Sequence, residues 1–464
     1  MVSLPIQDLL PELTSIVGEP HVRTDDEARR VYGADALKRG YPADVVVFPG
    51  TTADVARIVQ LCAEHGVPFV PRGAGTGYTG GAVPLQGGVV IAMERMNRIL
   101  EIDEQNLIAV VEPNVITADL QDAVEKLGLF YPPDPASLKQ STIGGNVAEC
   151  AGGPRAFKYG TTKRYVLGLE AVLPTGEVIE TGGKVVKNVV GYDLTQLLVG
   201  SEGTLAVITK IILRLVPRPP FQATLRASFK DVSAAVAAVT GVIRKRVVPA
   251  ALELIDGESL RAAADYLRDP SLAPYGTGAV LLVEVDGTPD AAAEEAARVE
   301  EACRAAGATE ILRARDEAGR QDLWRLRREL SHSLRTVAAL KFNHDVVVPK
   351  GRIPELFALV ERIRAAYCLR IPCFGHAGDG NIHVNIMVSP DDREEVQRAR
   401  EAEKVLFEGV VALEGSISGE HGIGFSKAPF LPIELSPDEI ALMKRIKHAF
   451  DPRNLLNPGK IFPA

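Results

Sequence analysis

The chain has 464 residues, 46% of them hydrophobic and 24% charged, which is ordinary globular material long enough for two to three domains and excludes a disordered polymer. A net charge of −8 gives no field that would gather polyphosphate, so no nucleic-acid partner is expected, although a local basic pocket is compatible with it. The five cysteines (Cys62, Cys150, Cys303, Cys368, Cys373) are scattered without a CxxC pair, which fits reduced thiols in a cytosolic protein and argues against an iron–sulfur cluster carried by this chain.

The opening MVSLPIQDLLPEL has neither a basic start nor a sustained apolar core. Nowhere does an uninterrupted apolar run reach the roughly 18 residues a membrane-spanning helix needs, so the expectation is a soluble, cytoplasmic chain. Residues 42–102 read as strand (ADVVVFP), helix (TTADVARIVQLCAEHG), strand (VPFVPRG), glycine loop and strand (GGVVIAM), which is α/β material. YVLGLEAVLPTGEVIETGG has the alternation and Pro-Thr-Gly turn of a hairpin, and EGTLAVITKIILRLVPRPP follows it. Pro217, Pro219 and Pro220 then mark a boundary. Beyond it ATLRASF, AALELID and GAVLLVEVDG read as strands between alanine- and arginine-rich helices, the pattern of an α+β domain with an antiparallel sheet. Residues 394–464 read as mainly helical at their ends, and no repeat or low-complexity tract occurs.

Two glycine-rich segments carry the first chemical signal. PRGAGTGYTGGAVP holds a formal GxGxxG at Gly75, Gly77 and Gly80, but a Rossmann fingerprint must open a helix, and this loop runs into Gly81, Pro84, Gly87, Gly88 and a β-branched strand. What it offers instead is a row of backbone N–H groups as an anion nest, with Arg72 adding charge at the rim; a plain glycine-rich surface turn is the alternative. The second segment, YPPDPASLKQSTIGGNVAECAGGPRAFKYG, pairs an extended proline approach at Pro132, Pro133 and Pro135 with Ser141, Thr142, Gly144, Gly145 and Asn146, groups suited to a flat polar ring and its chain.

With STIGGNVAECAGG, VVKNVVGYDLTQLLVGSEGTLAVIT and the terminal NPGKIF in the same order, the chain resembles FAD-binding proteins of the vanillyl-alcohol-oxidase or p-cresol-methylhydroxylase type over nearly its whole length. Through the second half the resemblance narrows to the branch of the glycolate oxidase catalytic D subunit, D-lactate dehydrogenase and D-2-hydroxyglutarate dehydrogenase. It implies an α+β protein: a p-cresol-methylhydroxylase-type FAD-binding domain of two α/β subdomains with an N-terminal helical segment over 1–220, an α+β cap with an antiparallel sheet binding substrate and metal over 221–425, and a C-terminal helical segment, 426–464, returning to the FAD domain. It also implies diphosphate binding by Arg72, Gly73, Gly75, Thr76 and Gly77, and isoalloxazine and ribityl contacts from Pro133, Ser141, Thr142, Gly145, Asn146 and Gly152, with Glu202, Ile208 and Asn457 as further cofactor contacts. Some relatives attach the flavin to a histidine in the glycine loop. None lies between Arg72 and Pro84, so non-covalent FAD is implied.

The second signal is histidine. FGHAGDGNIHVNIMV places His376 and His383 around a Gly-Asp-Gly turn, and alternation puts His383 and Asn385 on one face of a strand. GSISGEHGIGFSK adds Glu420 and His421 in another glycine-rich turn, so three of the eight histidines fall in two short motifs. Imidazole plus carboxylate with open positions is the donor mix of a catalytic divalent-metal site, while Asp379 reads as the cap of its turn. Here the resemblance implies His376, His383 and Glu420 as ligands of Zn or of Mn/Fe, Asn385 as a substrate contact, and His421 as the catalytic base. DLWRLRRELSHSLR reads as a helix with a seam of Leu323, Leu326, Leu330 and Leu334, and Arg327 and Ser331 share a face bordering that seam; a solvated arginine face is the alternative. The resemblance assigns Arg327, Ser331 and Lys341 to the substrate carboxylate, with the Ser331–Lys341 spacing departing from the family's by one residue. The implied activity is oxidation of a small D-2-hydroxy acid, with electrons passing to a quinone, an electron-transfer flavoprotein or an iron–sulfur subunit. A homodimer, or association with an oxidase complex at the inner face of the membrane through a partner, is left open, as are a non-catalytic flavin subunit and a metal-free aryl-alcohol or sugar oxidase on the same fold.

Overall fold

A computed structural model describes residues 6–269, 272 and 278–463. The chain divides into two compact units, one of residues 1–152, 161–218 and 420–464, the other of residues 153–160 and 219–419.

The first unit is built on two sheets. In the smaller, strands Val45–Val47, Val89–Ala92 and Phe69–Arg72 run parallel, with the short Val22–Arg23 antiparallel at one edge. These strands are valine-rich because the central ones are buried on both faces, which suits the branched, apolar side chains of a parallel sheet. Helix Thr52–His65 links the first two of them in sequence. It starts with a reciprocal Thr51–Asp54 capping box and stops at Gly66, whose φ of +70° a glycine adopts without strain. Its buried Val55, Ile58 and Val59 pack with Val45, Val47, Phe69, Val89 and Ile91, and with Leu455 and Leu456 from the C-terminal segment. Leu456 bridges to Phe69, so the end of the chain is stitched to the edge of this sheet. The larger sheet is antiparallel, in the order Ile99–Asp103, Ile108–Val111, Val207–Arg214, Val166–Val172, Val178–Gly182. Its last two strands form the hairpin that the Pro-Thr-Gly turn predicts.

The second unit carries a seven-stranded antiparallel sheet in the order Glu310–Arg313, Phe221–Phe229, Ala279–Gly287, Ala251–Asp256, Cys373–His376, Asn381–Val388, Leu340–Val347. The strands adjacent in that order pair antiparallel throughout. Helix Glu317–Ser333 buries Leu326 and Leu330 in one cluster with Ile255, Leu260, Val280, Phe374 and Met387, which fixes the helix over the sheet positions nearest the two histidines. Among the described residues no helix is long and apolar enough to cross a membrane.

Candidate active site

In the first unit the glycine loop leaves strand Phe69–Arg72 and reaches strand Val89–Ala92 with no helix between, so the formal GxGxxG has no Rossmann geometry. Gly75 holds φ +67°, and a Cβ there would lie 2.2 Å from Arg72 Nη2. A Cβ on Gly73 would lie 2.5 Å from Thr142 Oγ1 and 3.8 Å from the Gly145 nitrogen, so the two glycine-rich segments meet face to face. Gly77 faces open space: the nearest heavy atom to the place a Cβ would take is Asp35 Oδ2, at 4.0 Å. Arg72 is buried, its Nη1 has no hydrogen-bond partner among the described residues, and burial pulls its guanidinium below its usual pKa. A buried guanidinium nitrogen without a partner beside bare glycine backbone is chemistry that suits an anion such as a diphosphate.

The second segment holds an element that the sequence does not announce. Ile143–Glu149 is a helix, despite Gly144 and Gly145 in its first turn, because Thr142 caps it by accepting from the Gly145 N–H at 3.3 Å. Gly144 is required by crowding: a Cβ would lie 2.6 Å from Pro113 Cβ. Asn146 donates to Thr117 Oγ1 at 2.8 Å, and Thr117 lies 3.0 Å from Ser141 Oγ, so these polar residues form one buried network. Gln121 donates to the Pro133 carbonyl at 2.9 Å and sets the proline approach. Glu202 accepts from the Ile423 and Gly424 N–H groups at 2.7 and 2.6 Å, and Asn457 donates to the Gly81 and Glu202 carbonyls at 2.8 and 2.9 Å. Their side chains therefore clamp the loops, and Ile208 is buried in its strand. In the same unit a Cβ on Gly152 would lie 2.5 Å from Glu420 Oε2, while the His421 ring tilts against Tyr78 with centroids 5.4 Å apart. Asp35 is pushed up to about 6 by burial, against the Leu37 N–H it accepts from, and Lys460 is pulled down to about 8 by burial.

In the second unit His376 ends strand Cys373–His376 and His383 sits in strand Asn381–Val388, the two joined by a turn in which Gly380 takes φ +89° under the Val348 carbonyl. The rings stand 5.3 Å apart between centroids at an interplanar angle of 82°. His376 Nδ1 is 2.6 Å from Glu253 Oε1, on the neighbouring strand and directly in register. A donated Nδ1–H fixes the tautomer that presents an Nε2 lone pair, the arrangement usual for a metal-binding imidazole. His383 faces Asp345 in register, with Nδ1 and Oδ1 3.9 Å apart, and Asp345 is fully buried. The donor set of two imidazoles with carboxylates nearby suits Zn or Mn/Fe. Asn385 is buried, accepting from Asn343 at 2.7 Å and donating to the Pro372 and His383 carbonyls. Asp379 accepts from the Asn381 N–H at 3.3 Å, a turn-capping role.

Arg327 is buried, its Nε donates to Glu253 Oε2, and its guanidinium lies 5.1 Å from the Phe374 ring centroid. Lys341 donates to Ser331 Oγ at 2.9 Å, so the helix residue and the strand residue meet. The solvated-arginine alternative fits the exposed Arg328 next door, not Arg327. Two residues of this constellation belong to no motif in the sequence: Glu253, in the middle of the largely apolar strand AALELID, and Asp345. Burial alone would raise Glu253, but the charges of His376 and Arg327 and their hydrogen bonds hold its carboxyl down at about 2.

The FAD linked oxidases, C-terminal domain, matches residues 218–461, and an FAD binding domain matches residues 43–182. The chain is 42% identical over 457 residues to the glycolate oxidase subunit GlcD of Bacillus subtilis (strain 168), covering 98% of this chain and 97% of that one. It is 38% identical over 427 residues to the D-lactate dehydrogenase of Anaerostipes hadrus, covering 90% of this chain and 89% of that one. The crystal structure of p-cresol methylhydroxylase with substrate bound superposes with a TM-score of 0.84 at 19% identity, over 98% of this chain and 96% of that one, which is a likeness of fold. The chain belongs to the FAD-linked oxidases of p-cresol-methylhydroxylase-type fold, in the branch that holds glycolate oxidase subunit GlcD, D-lactate dehydrogenase and D-2-hydroxyglutarate dehydrogenase.

Proposed function

We propose that this protein oxidises a small D-2-hydroxy acid of the glycolate or D-lactate class to the 2-oxo acid, using non-covalently bound FAD and a divalent metal. The observation that carries the reading is the His376–His383 pair, with rings 5.3 Å apart and His376 oriented by Glu253. Structural histidines do not need a buried carboxylate behind the ring; metal-binding ones commonly have it. His376, His383 and Glu420 would hold the metal. Glu420 would add a carboxylate to the two imidazoles, the third donor type such a site uses.

When bound, FAD supplies the hydride acceptor and the metal a positive charge that lowers the pKa of the substrate hydroxyl. The rest falls to the protein's own groups. Arg327, with Nε fixed by Glu253, would offer its terminal nitrogens to the substrate carboxylate, assisted by Ser331 and Lys341. Asn385 orients the hydroxyl-bearing carbon, and His421 takes the hydroxyl proton, held by the Thr79 hydroxyl that donates to its carbonyl at 3.0 Å. Arg72, Gly73, Gly75, Thr76 and Gly77 would hold the diphosphate, and Pro133, Ser141, Thr142, Gly145, Asn146 and Gly152 would hold the ring and ribityl chain. Turnover would need an electron-accepting partner, in keeping with the naming of the Bacillus subtilis relative as an oxidase subunit.

Anaerobic mixing with glycolate and with the two enantiomers of lactate and 2-hydroxyglutarate tests this. Glycolate or a D-enantiomer should bleach the flavin of metal-loaded protein, and chelator should abolish the bleaching. Equal reduction by both enantiomers, or reduction by aryl alcohols without metal, would overturn the reading.

A further inference from the structure

We infer that Glu253 is a positioning residue shared by the two halves of the substrate site, setting the metal-binding histidine and the carboxylate-binding arginine with one side chain. The inference rests on the reading of the site given above and adds a residue to it. Glu253 lies in the middle of strand Ala251–Asp256, fully buried, where a carboxylate is costly without partners. Each of its oxygens has one. Oε1 lies 2.6 Å from His376 Nδ1, and Oε2 accepts from Arg327 Nε.

The geometry accounts for both contacts. Glu253 and His376 are register partners on adjacent antiparallel strands, so their side chains leave the sheet on the same face. Helix Glu317–Ser333 lies over that face, its Leu326 and Leu330 packed with Ile255 and Phe374, which brings Arg327 down onto the carboxylate. The two contacts have different consequences. At His376 the carboxylate fixes the Nδ1–H tautomer and raises the basicity of Nε2. At Arg327 it uses Nε, the one guanidinium donor that points back along the side chain. That is the only hydrogen bond of the Arg327 side chain among the described residues, so the terminal nitrogens keep the forked face that binds a carboxylate through two hydrogen bonds. A rotation of Glu253 would disturb metal ligand and substrate anchor together, which a purely structural ion pair would not do.

The test compares wild type, Glu253→Gln, Arg327→Met and the double variant, all as FAD-loaded protein. Zn²⁺ and Mn²⁺ affinity is measured by competition with a chromophoric chelator. Substrate affinity is measured at saturating metal, from flavin bleaching by whichever of glycolate, D-lactate and D-2-hydroxyglutarate reduces wild type. Glu253→Gln should weaken metal binding about 10–100-fold. It should also weaken substrate binding by roughly tenfold or more, as expected for loss of an ordered charged hydrogen bond. In the Arg327→Met background, which removes the buried cation that could otherwise unfold the single variant, Glu253→Gln should still weaken metal binding but cost no further substrate affinity. Metal affinity in the double variant equal to that of Arg327→Met, or substrate losses that simply add, would overturn the inference. A wild type that binds no metal and is bleached by none of the acids would overturn the functional reading instead.

Discussion

Replacing Gly75 by alanine separates two costs that a glycine loop combines. Gly75 holds φ +67°, where an L-residue pays about 1–2 kcal/mol, so the fold should lose that much stability. The added Cβ would also lie 2.2 Å from Arg72 Nη2 and 2.6 Å from its Cζ, and because Arg72 is buried the guanidinium has to leave its place. Movement of a side-chain end is cheap for the fold but expensive for a ligand that depends on it. Losing one charge-assisted hydrogen bond of about 1.5–3 kcal/mol lowers FAD affinity roughly 10–100-fold. Gly128 is the matched control: its φ is +73°, and a Cβ there meets nothing within 4 Å. Gly128→Ala should therefore lower the melting temperature of the apoprotein about as much as Gly75→Ala, while binding FAD as wild type does. Titration of each apoprotein with FAD, followed by flavin fluorescence, beside thermal unfolding, reads both quantities. Unchanged FAD affinity in Gly75→Ala, or an equal loss in Gly128→Ala, would refute the assignment of the diphosphate to Arg72 and its loop.

His383→Ala should lose metal and flavin reduction together, whereas His421→Ala should keep metal and FAD and reduce flavin about 10²–10⁴-fold more slowly, measured by elemental analysis and stopped-flow absorbance. Acid or heat precipitation should release all of the flavin to the supernatant, since the glycine loop from Arg72 to Pro84 has no attachment histidine. Asp35→Asn should stabilise the apoprotein at pH 8. The folded-state pKa of Asp35 is raised from 3.8 to about 6, so its favourable contribution is complete below the unfolded pKa and lost as pH rises through 6; the variant's advantage, on the order of 3 kcal/mol at most, should vanish in unfolding curves near pH 4.

How much of this was legible in the sequence depends on the range over which each feature is encoded. Strand Asn381–Val388 is readable because alternation is a local property, and His383 and Asn385 follow from it two residues apart. The refusal of a Rossmann helix after Gly80 is equally local, since β-branched residues follow the glycines. Helix Ile143–Glu149 is not readable: two glycines in its first turn argue against a helix by propensity, and what overrides them is the Thr142 cap and the close approach of Pro113, a residue far back along the chain. Glu253 is hidden for the same reason on a larger scale. In AALELID it is only an acid interrupting an apolar strand, and its meaning comes from His376, 123 positions away, and from Arg327, 74 positions away. Motif reading finds residues whose neighbours in sequence share their task. The buried carboxylates beside such residues, Glu253 hydrogen-bonded to His376 and Asp345 opposite His383, come from other strands, and only the register of the sheet brings them into place. Glu253 leaves one local sign, an acid inside a strand buried on both faces, because such a charge persists only where the fold supplies its partners.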